Sequence, residues 1–263
     1  MTAIWGIVNA TPDSFSDGGR YADPVAAVAR GRLLRDQGAA VLDIGGESTR
    51  PGAERVDPAE ERRRVLPVIE ALAAAGIPVS IDTLNASTAV AAVGAGARIV
   101  NDVSGGLADP DMLAAVADSG ADIALGHWRG PSADMYARAE YSRVGREVAA
   151  ELRARVEAAA AAGIAPSRVI VDPGVGFAKT AAQNWELLRD LEDVVALGSR
   201  VLVGTSRKRF LGTALGDEAD ESRRDAATAV TSVLAARAGA WAVRVHDVAA
   251  TRDALAVLTA WDG

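Results

Sequence analysis

Eight short apolar runs, each followed by a longer stretch of helical pattern, constrain this chain more than anything else in its sequence. The runs are Ile4–Val8, Val41–Ile44, Pro78–Ile81, Arg98–Val100, Asp122–Leu125, Val169–Val171, Val201–Val203 and Ala242–Val245. None of them alternates polar and apolar residues. Continuous apolar strands are buried on both faces, as in parallel sheets covered by helices. Eight β–α units in about 250 residues is the size of a TIM (β/α)8 barrel. A doubly wound open sheet is the rival arrangement. It usually carries a G-x-G-x-x-G turn after its first strand, and this sequence has none. The expectation is an α/β fold, a single-domain (β/α)8 barrel spanning 1–263, with no linker or low-complexity tract to divide it.

The helical stretches carry their own punctuation. Asp23-Pro24 reads as N-cap and first helical residue, with Gly38 past the end. Asp57-Pro58 with Glu60 adds an acid placed as in a capping box, and Gly76 closes that helix. Asp109-Pro110 opens another before Gly120. Ala149–Ala162 stops at Gly163, and the last helix covers Ala249–Trp261. The segment from Gly130 to Ser142 is the most irregular connection and reads as a surface excursion.

Composition removes several functions. A net charge of −7 argues against a nucleic-acid surface, which needs a basic patch. It leaves room for a local basic pocket that takes an anionic small molecule. The absence of cysteine excludes disulfides, thiolate nucleophiles and cysteine-held metal. His127 and His246 are the only histidines, too few for a multi-histidine site. No apolar run approaches the roughly 20 residues that span a bilayer, and no apolar leader is seen. The expectation is a cytoplasmic protein without membrane or nucleic-acid partners.

Nearly every strand ends in a side chain capable of chemistry. Strand 1 ends at Asn9. Strand 2 contains Asp43 and leads into Glu47, Ser48, Thr49 and Arg50. Strands 3 to 6 end at Asp82, at Asn101 and Asp102, at His127, and at Asp172. Strand 7 leads into Ser206, Arg207 and Lys208, and strand 8 into Arg244 and His246. In a barrel these ends converge on the face where barrel enzymes keep their sites. One Asp after a strand is often just a cap, but eight polar ends in register are more than capping explains.

By chemistry the ring divides in two. Asp82, Asn101, Asp172 and Lys208 suit a flat, nitrogen-rich heterocycle, because carboxylates accept from ring N–H and amino groups and an amide does both. Arg50, Arg244 and His246, with Thr49 and Asn9, suit a phosphate. The Ser206-Arg207-Lys208 turn opens a helix, whose free N–H groups would attract a second anion. Two Gly-rich loops, Asn9–Gly19 and Gly45–Ala53, have the composition of lids.

These residues fall in blocks that resemble dihydropteroate synthase over essentially the whole chain. The blocks are N-A-T-P-D-S-F-S-D-G-G from Asn9, D-I-G-G-E-S-T-R-P-G from Asp43, S-I-D-T from Ser80 and N-D-V-S from Asn101. D-P-G-V-G-F-A-K follows from Asp172, S-R-K from Ser206 and R-V-H-D-V from Arg244. His127-Trp128-Arg129 is similar to actinobacterial members. The resemblance implies a transferase that condenses 6-hydroxymethyl-7,8-dihydropterin pyrophosphate with p-aminobenzoate, giving 7,8-dihydropteroate and pyrophosphate in folate synthesis.

It also implies roles. Asp82, Asn101, Asp172 and Lys208 would bind the pterin. Asn9 would coordinate Mg2+, and Thr49, Arg244 and His246 would hold the pyrophosphate together with Asn9. Phe15, Thr49, Arg50, Pro51, Phe177, Ser206 and Lys208 would shape the p-aminobenzoate pocket. Asp17 and Phe15 would close over the reacting centre, so that Asp17, Arg50, Lys208, Arg244 and His246 carry the catalysis. The family is commonly homodimeric and is inhibited by sulfonamides, which mimic p-aminobenzoate. Two departures stand out: Ala10 where valine is more usual, and Gly126 where methionine is common. Gly126 would loosen the pterin pocket.

Two other readings share parts of this pattern. A methyltetrahydrofolate-dependent methyltransferase would share the Asp/Asn/Asp set but has no need of the S-T-R-P, S-R-K and R-V-H blocks. A catalytically silent pterin-binding paralogue should have lost Asn9, Asp17, Arg50, Arg244 or His246, and all are present. Trp5, Trp185, Trp241 and Trp261 read as core or helix-packing residues. Glu60–Arg64 reads as a solvated helix face. His127 stands open between a site residue and a hydrogen-bonded structural one.

Overall fold

Eight parallel strands close on themselves in chain order. They are β1 (Ala3–Asn9), β2 (Val41–Gly45), β3 (Val79–Asp82), β4 (Ile99–Asp102), β5 (Asp122–Gly126), β6 (Val169–Asp172), β7 (Arg200–Val203) and β8 (Ala242–Val245). The computed structural model describes residues 2–11, 23–47, 55–130, 139–216 and 218–263. Helices α1 (Pro24–Asp36), α2 (Pro58–Ala74), α3 (Ala86–Gly94), α4 (Met112–Ser119) and α5 (Val144–Ala161) follow β1 to β5 in turn. α6 (Ala181–Arg189) and α7 (Leu191–Val195) follow β6. α8 (Gly212–Leu215) and α9 (Glu221–Arg237) follow β7, and α10 (Val248–Asp262) follows β8. The barrel is the one expected.

Side chains alternate in and out of a barrel strand. Trp5, Val41, Ile99, Ala124, Ile170, Leu202 and Ala242 point inward and form a closed apolar plug. Trp241 meets Trp5 edge-on at 6.2 Å beneath it. The outward positions build the larger core between barrel and helices, with Leu42, Ile44, Ile81, Val100, Ile123, Leu125, Val171 and Val245 among its buried residues. Two residues past the plug, the inward row turns polar: Asp43, Asn101, Asp172 and Arg244. This is why the site lies at the C-terminal end. The apolar plug fills the barrel below it, and β2, β4, β6 and β8 each deliver one polar group above.

Several strands run further than their apolar runs. β1, β3, β4 and β6 take in Asn9, Asp82, Asn101–Asp102 and Asp172. Parallel pairing continues through these polar ends: Asn9 faces Gly45, Gly45 faces Asp82, and Asp82 faces Asn101. Asn9, Asp82, Asn101 and Asp172 are therefore fixed by the ladder, whereas Phe177, Ser206, Lys208 and His246 lie past the strand ends.

Caps are partly as expected. The side chains of Asp23 and Asp57 accept from the backbone N–H groups of Val25 and Ala59, both at 2.8 Å. Asp109 does something different. Its carboxylate caps twice: one oxygen accepts from Asp111 N at 3.0 Å in the turn that leads into α4 at Met112, and the other from Ala86 N at 2.8 Å at the start of the neighbouring α3. Glu60 does not close a capping box, because its carboxylate pairs with Arg63 and Arg64. The solvated-face reading of Glu60–Arg64 fails at Glu61, which is fully buried and accepts from Asn85 at 2.7 Å and Thr88 at 2.7 Å. Trp261 is not a packing residue either, being 80% exposed near the end of α10. Trp185 packs edge-on against Phe210 at 4.9 Å.

Candidate active site

Arg244 reaches across the mouth of the barrel from β8. Its Nε donates to Asp43 Oδ2 on β2, and its Nη2 donates to Asp82 Oδ2 on β3 at 2.7 Å. Asn101, from β4, donates its amide to the same Asp43 oxygen at 3.0 Å. One fully buried carboxylate thus orients both the arginine and the amide. The sequence displayed Asp43 only as a polar strand residue; its inward position, in the row of Asn101 and Arg244, was the signal to use. The second oxygen of Asp43 and the Oδ1 of Asn101 are buried acceptors with no protein partner.

The two halves expected of the ring meet at one residue. Arg244, sorted with the phosphate binders, is ion-paired to Asp82, sorted with the heterocycle binders. Two of its five N–H donors are occupied by carboxylates. Both carboxylates push the arginine's pKa up, although burial opposes them. Asp82 is raised to about 7, first by burial, with Arg244 opposing and Asp43 adding to the rise. Burial also raises Asp172, against the pull of Lys208. Lys208 is lowered to about 8 by burial, with Asp172 opposing.

The β6–α6 loop brings the next groups. Asp172 Oδ1 accepts from Gly174 N at 2.7 Å, and Lys208 Nζ donates to Val175 O. The ammonium lies 4.8 Å from the Phe177 ring centre, a cation–π distance. Lys208 therefore faces the acidic ring and touches the aromatic wall at once. Gly176 (φ +84°) must lack a side chain here, because a Cβ would meet Lys208 Cδ at 2.8 Å.

His246 and Ser206 form the remaining edge. Ser206 Oγ lies 2.8 Å from His246 Nδ1 and accepts from the His246 amide at 3.1 Å, while Arg30 of α1 donates to the His246 carbonyl. The open-amide reading of the Ser206-Arg207-Lys208 turn does not hold. Arg207 N donates to Thr228 Oγ1, and Lys208 N to Thr205 O. Arg207, at φ +57°, turns outward into a two-pronged pair with Asp225 at 2.7 Å for each bond.

His127 resolves to the structural reading. It is buried, with Nε2 at 2.9 Å from Glu151 and Nδ1 at 3.0 Å from Lys179. Burial and the Lys179 charge lower its pKa to about 4, so the ring is neutral at pH 7. Gly126 leaves no loosened pocket. The backbone of Val103 occupies the place of a side chain, and a Cβ would lie 2.4 Å from its carbonyl oxygen. Asn9 ends β1 in the register row of Asp82 and Asn101. Phe15, Asp17, Thr49, Arg50 and Pro51 lie outside the described residues.

A closed parallel barrel with buried acids, an amide, a lysine and an arginine at its C-terminal mouth is built to hold a polar heterocycle, and a family model described as "Pterin binding enzyme" matches residues 5–246. Dihydropteroate synthase of Mycobacterium leprae is 54% identical, covering 98% of this chain and 93% of its own. Dihydropteroate synthase of Xanthomonas albilineans solved with 4-aminobenzoic acid superposes with a TM-score of 0.93 at 47% identity, over 100% of this chain and 93% of that one. A structure of the X. albilineans enzyme in complex with 7,8-dihydropteroate gives 0.89 at 44% identity, over 100% and 94%. The chain belongs to the dihydropteroate synthase family, transferases of folate biosynthesis.

Proposed function

We propose that residues 1–263 act as one pterin-binding unit that condenses 6-hydroxymethyl-7,8-dihydropterin pyrophosphate with p-aminobenzoate. The observation that carries this reading is the buried cluster of Asp43, Asp82, Asn101 and Arg244, with two acceptor oxygens left over. Unpartnered buried acceptors are costly unless a ligand supplies donors. A pterin edge does so through its ring N–H and amino groups. Asp82, Asn101, Asp172 and Lys208 bind that edge.

The carbon–oxygen bond of the pterin methylene breaks, and its electron pair leaves with pyrophosphate. The amine nitrogen attacks the methylene cation and then loses a proton. Asp82 and Asp172 stabilise positive charge on the ring. Arg244, with His246 and Thr49, holds the departing anion. Phe177, Ser206 and Lys208, with Phe15, Thr49, Arg50 and Pro51, hold the aromatic amine in line, and Asp17 acts on the closing first loop. A sulfonamide occupies the same subsite and competes with p-aminobenzoate.

Among the described residues no three His, Asp or Glu side chains stand close enough to hold a metal. A lone amide oxygen at Asn9 suits Mg2+, which keeps most of its ligands as water and substrate phosphate. Bound there, Mg2+ would supply charge neutralisation for the pyrophosphate. No helix among the described residues is long and apolar enough to cross a membrane. A cytoplasmic homodimer acting on small-molecule substrates completes the proposal.

The test is pyrophosphate release by the purified protein, with pterin pyrophosphate, Mg2+ and p-aminobenzoate each omitted in turn. Release that needs both organic substrates and yields dihydropteroate supports the reading. Pterin binding without release would point to a silent paralogue instead.

A further inference from the structure

Lys179 is 1% exposed and lies outside the ring of site residues. Its ammonium touches three acceptors: His127 Nδ1 at 3.0 Å, Gly174 O at 3.1 Å and Phe177 O at 3.1 Å. Three acceptors match the three donors of a protonated lysine. The His127 proton then sits on Nε2 and is donated to Glu151. Glu151 is held in turn by Arg129. A hydrogen-bonded path therefore runs from helix α5, through the end of β5, to two carbonyls of the Asp172–Lys179 loop.

That loop is unusually demanding. Gly174 has φ +65°, Gly176 +84° and Ala178 +48°, and left-handed backbone at Ala178 costs energy that its surroundings must offset. Two buried side chains hold it from beneath. Asn184 of α6 accepts from Gly176 N at 2.6 Å and donates to Lys179 O at 3.2 Å. Lys179 holds Gly174 and Phe177, the residues on either side of Val175 and Gly176. Above them, Val175 O receives Lys208 and the Phe177 ring faces the Lys208 ammonium.

We propose that Lys179, braced by His127, is a positioning residue for the aromatic-amine subsite, fixing through the Phe177 carbonyl the backbone that carries the Phe177 ring. This rests on the proposed placement of Phe177 beside p-aminobenzoate. Burial of a lysine is costly, and three acceptors on the β5 and β6 connections offset that cost here. Burial lowers the Lys179 pKa to about 7, with the Asp172 charge opposing and those of Lys208 and Arg129 adding to the fall.

The test compares Lys179→Met, His127→Phe and Phe177→Ala with the wild type in the pyrophosphate-release assay, alongside calorimetric binding of the pterin pyrophosphate. Lys179→Met is expected to raise the KM for p-aminobenzoate about tenfold or more, with kcat and the pterin Kd within about threefold of wild type. His127→Phe, which removes one acceptor and keeps a ring, is expected to shift the same constant by a smaller factor. It carries the test alone if Lys179→Met does not fold. A loss of kcat or pterin affinity with an unchanged amine KM, in whichever of the two variants folds, overturns the proposal. So does wild-type behaviour. If Phe177→Ala leaves the amine KM unchanged, the placement of Phe177 fails and this inference with it. If Phe177→Ala raises that KM and neither Lys179→Met nor His127→Phe does, only the role of Lys179 fails.

Discussion

Arg244 and Asp82 meet at 2.7 Å across the barrel mouth, one from the end of β8 and the other from the end of β3. With Asp43 on its other nitrogen, the guanidinium is the shared cation between two buried carboxylates that would otherwise repel each other. Removing it leaves both acids buried without a counter-charge. Arg244→Ala should lower stability in urea by about 3–5 kcal/mol, the usual cost of breaking a buried pair from one side. Arg244→Lys should recover part of this, because a point charge cannot fork between two acids. An unchanged urea midpoint for Arg244→Ala would show that the pair contributes little.

Asp82 and Lys208 should set the pH range of activity. With Asp82 raised to about 7, its carboxylate is ionised above that pH and loses acceptor capacity below it. With Lys208 lowered to about 8, the ammonium is present below that pH and lost above it. A bell in kcat/KM is expected, its limbs belonging to the cluster as a whole. Asp82→Asn should remove the acid limb and Lys208→Arg should displace the alkaline one; an acid limb that persists in Asp82→Asn rules out this origin. The same shift has a sign in stability. Between about pH 4 and 7 the folded protein holds a proton on Asp82 that the unfolded chain has lost. The contribution of this group therefore falls as pH rises through that window.

Gly174 is a sharper test of the loop. At φ +65° an added Cβ would lie 2.3 Å from the His127 carbonyl oxygen, a backbone atom at a strand end that cannot swing away. Gly174→Ala combines strained backbone with a clash, so a loss above about 1 kcal/mol is expected, read from denaturant melts. Activity should fall with it, since Gly174 N also orients Asp172. Wild-type stability in this variant would mean that the loop relaxes freely.

The barrel and the strand-end part of the candidate site were legible because both depend on regular spacing. Apolar runs with polar ends mark Asp82, Asn101 and Asp172 whatever the details of packing. Residues whose role depends on a distant partner were not legible. Lys179 looked like part of a motif, yet its task is set by His127, fifty-two positions earlier. Glu61 looked solvated because its neighbours are charged, while its partners Asn85 and Thr88 lie on the next β–α unit. Asp109 reads locally as a cap ahead of α4, which it is, and only the packing of adjacent helices shows that its second oxygen caps α3. Asp43 carried a signal in its inward register that chemistry alone, sorted by residue type, passed over.

A homodimer makes a prediction at the helices furthest from the first loop's sequence. Val230 and Leu234 are four apart on α9, Val257 and Trp261 four apart on α10, and all four are more than half exposed. The two helices pack on each other. Single exposed apolar residues are ordinary, but two such pairs on adjoining helices form a surface that favours cover by another apolar face. Sedimentation should give about twice the 27.0 kDa of one chain. Leu234→Glu with Val257→Glu should give the single-chain mass with the fold intact by circular dichroism, since neither side chain is in the core. A wild-type protein that sediments as one chain at micromolar concentration would count against the dimer, and a double variant that stays dimeric would place the interface elsewhere.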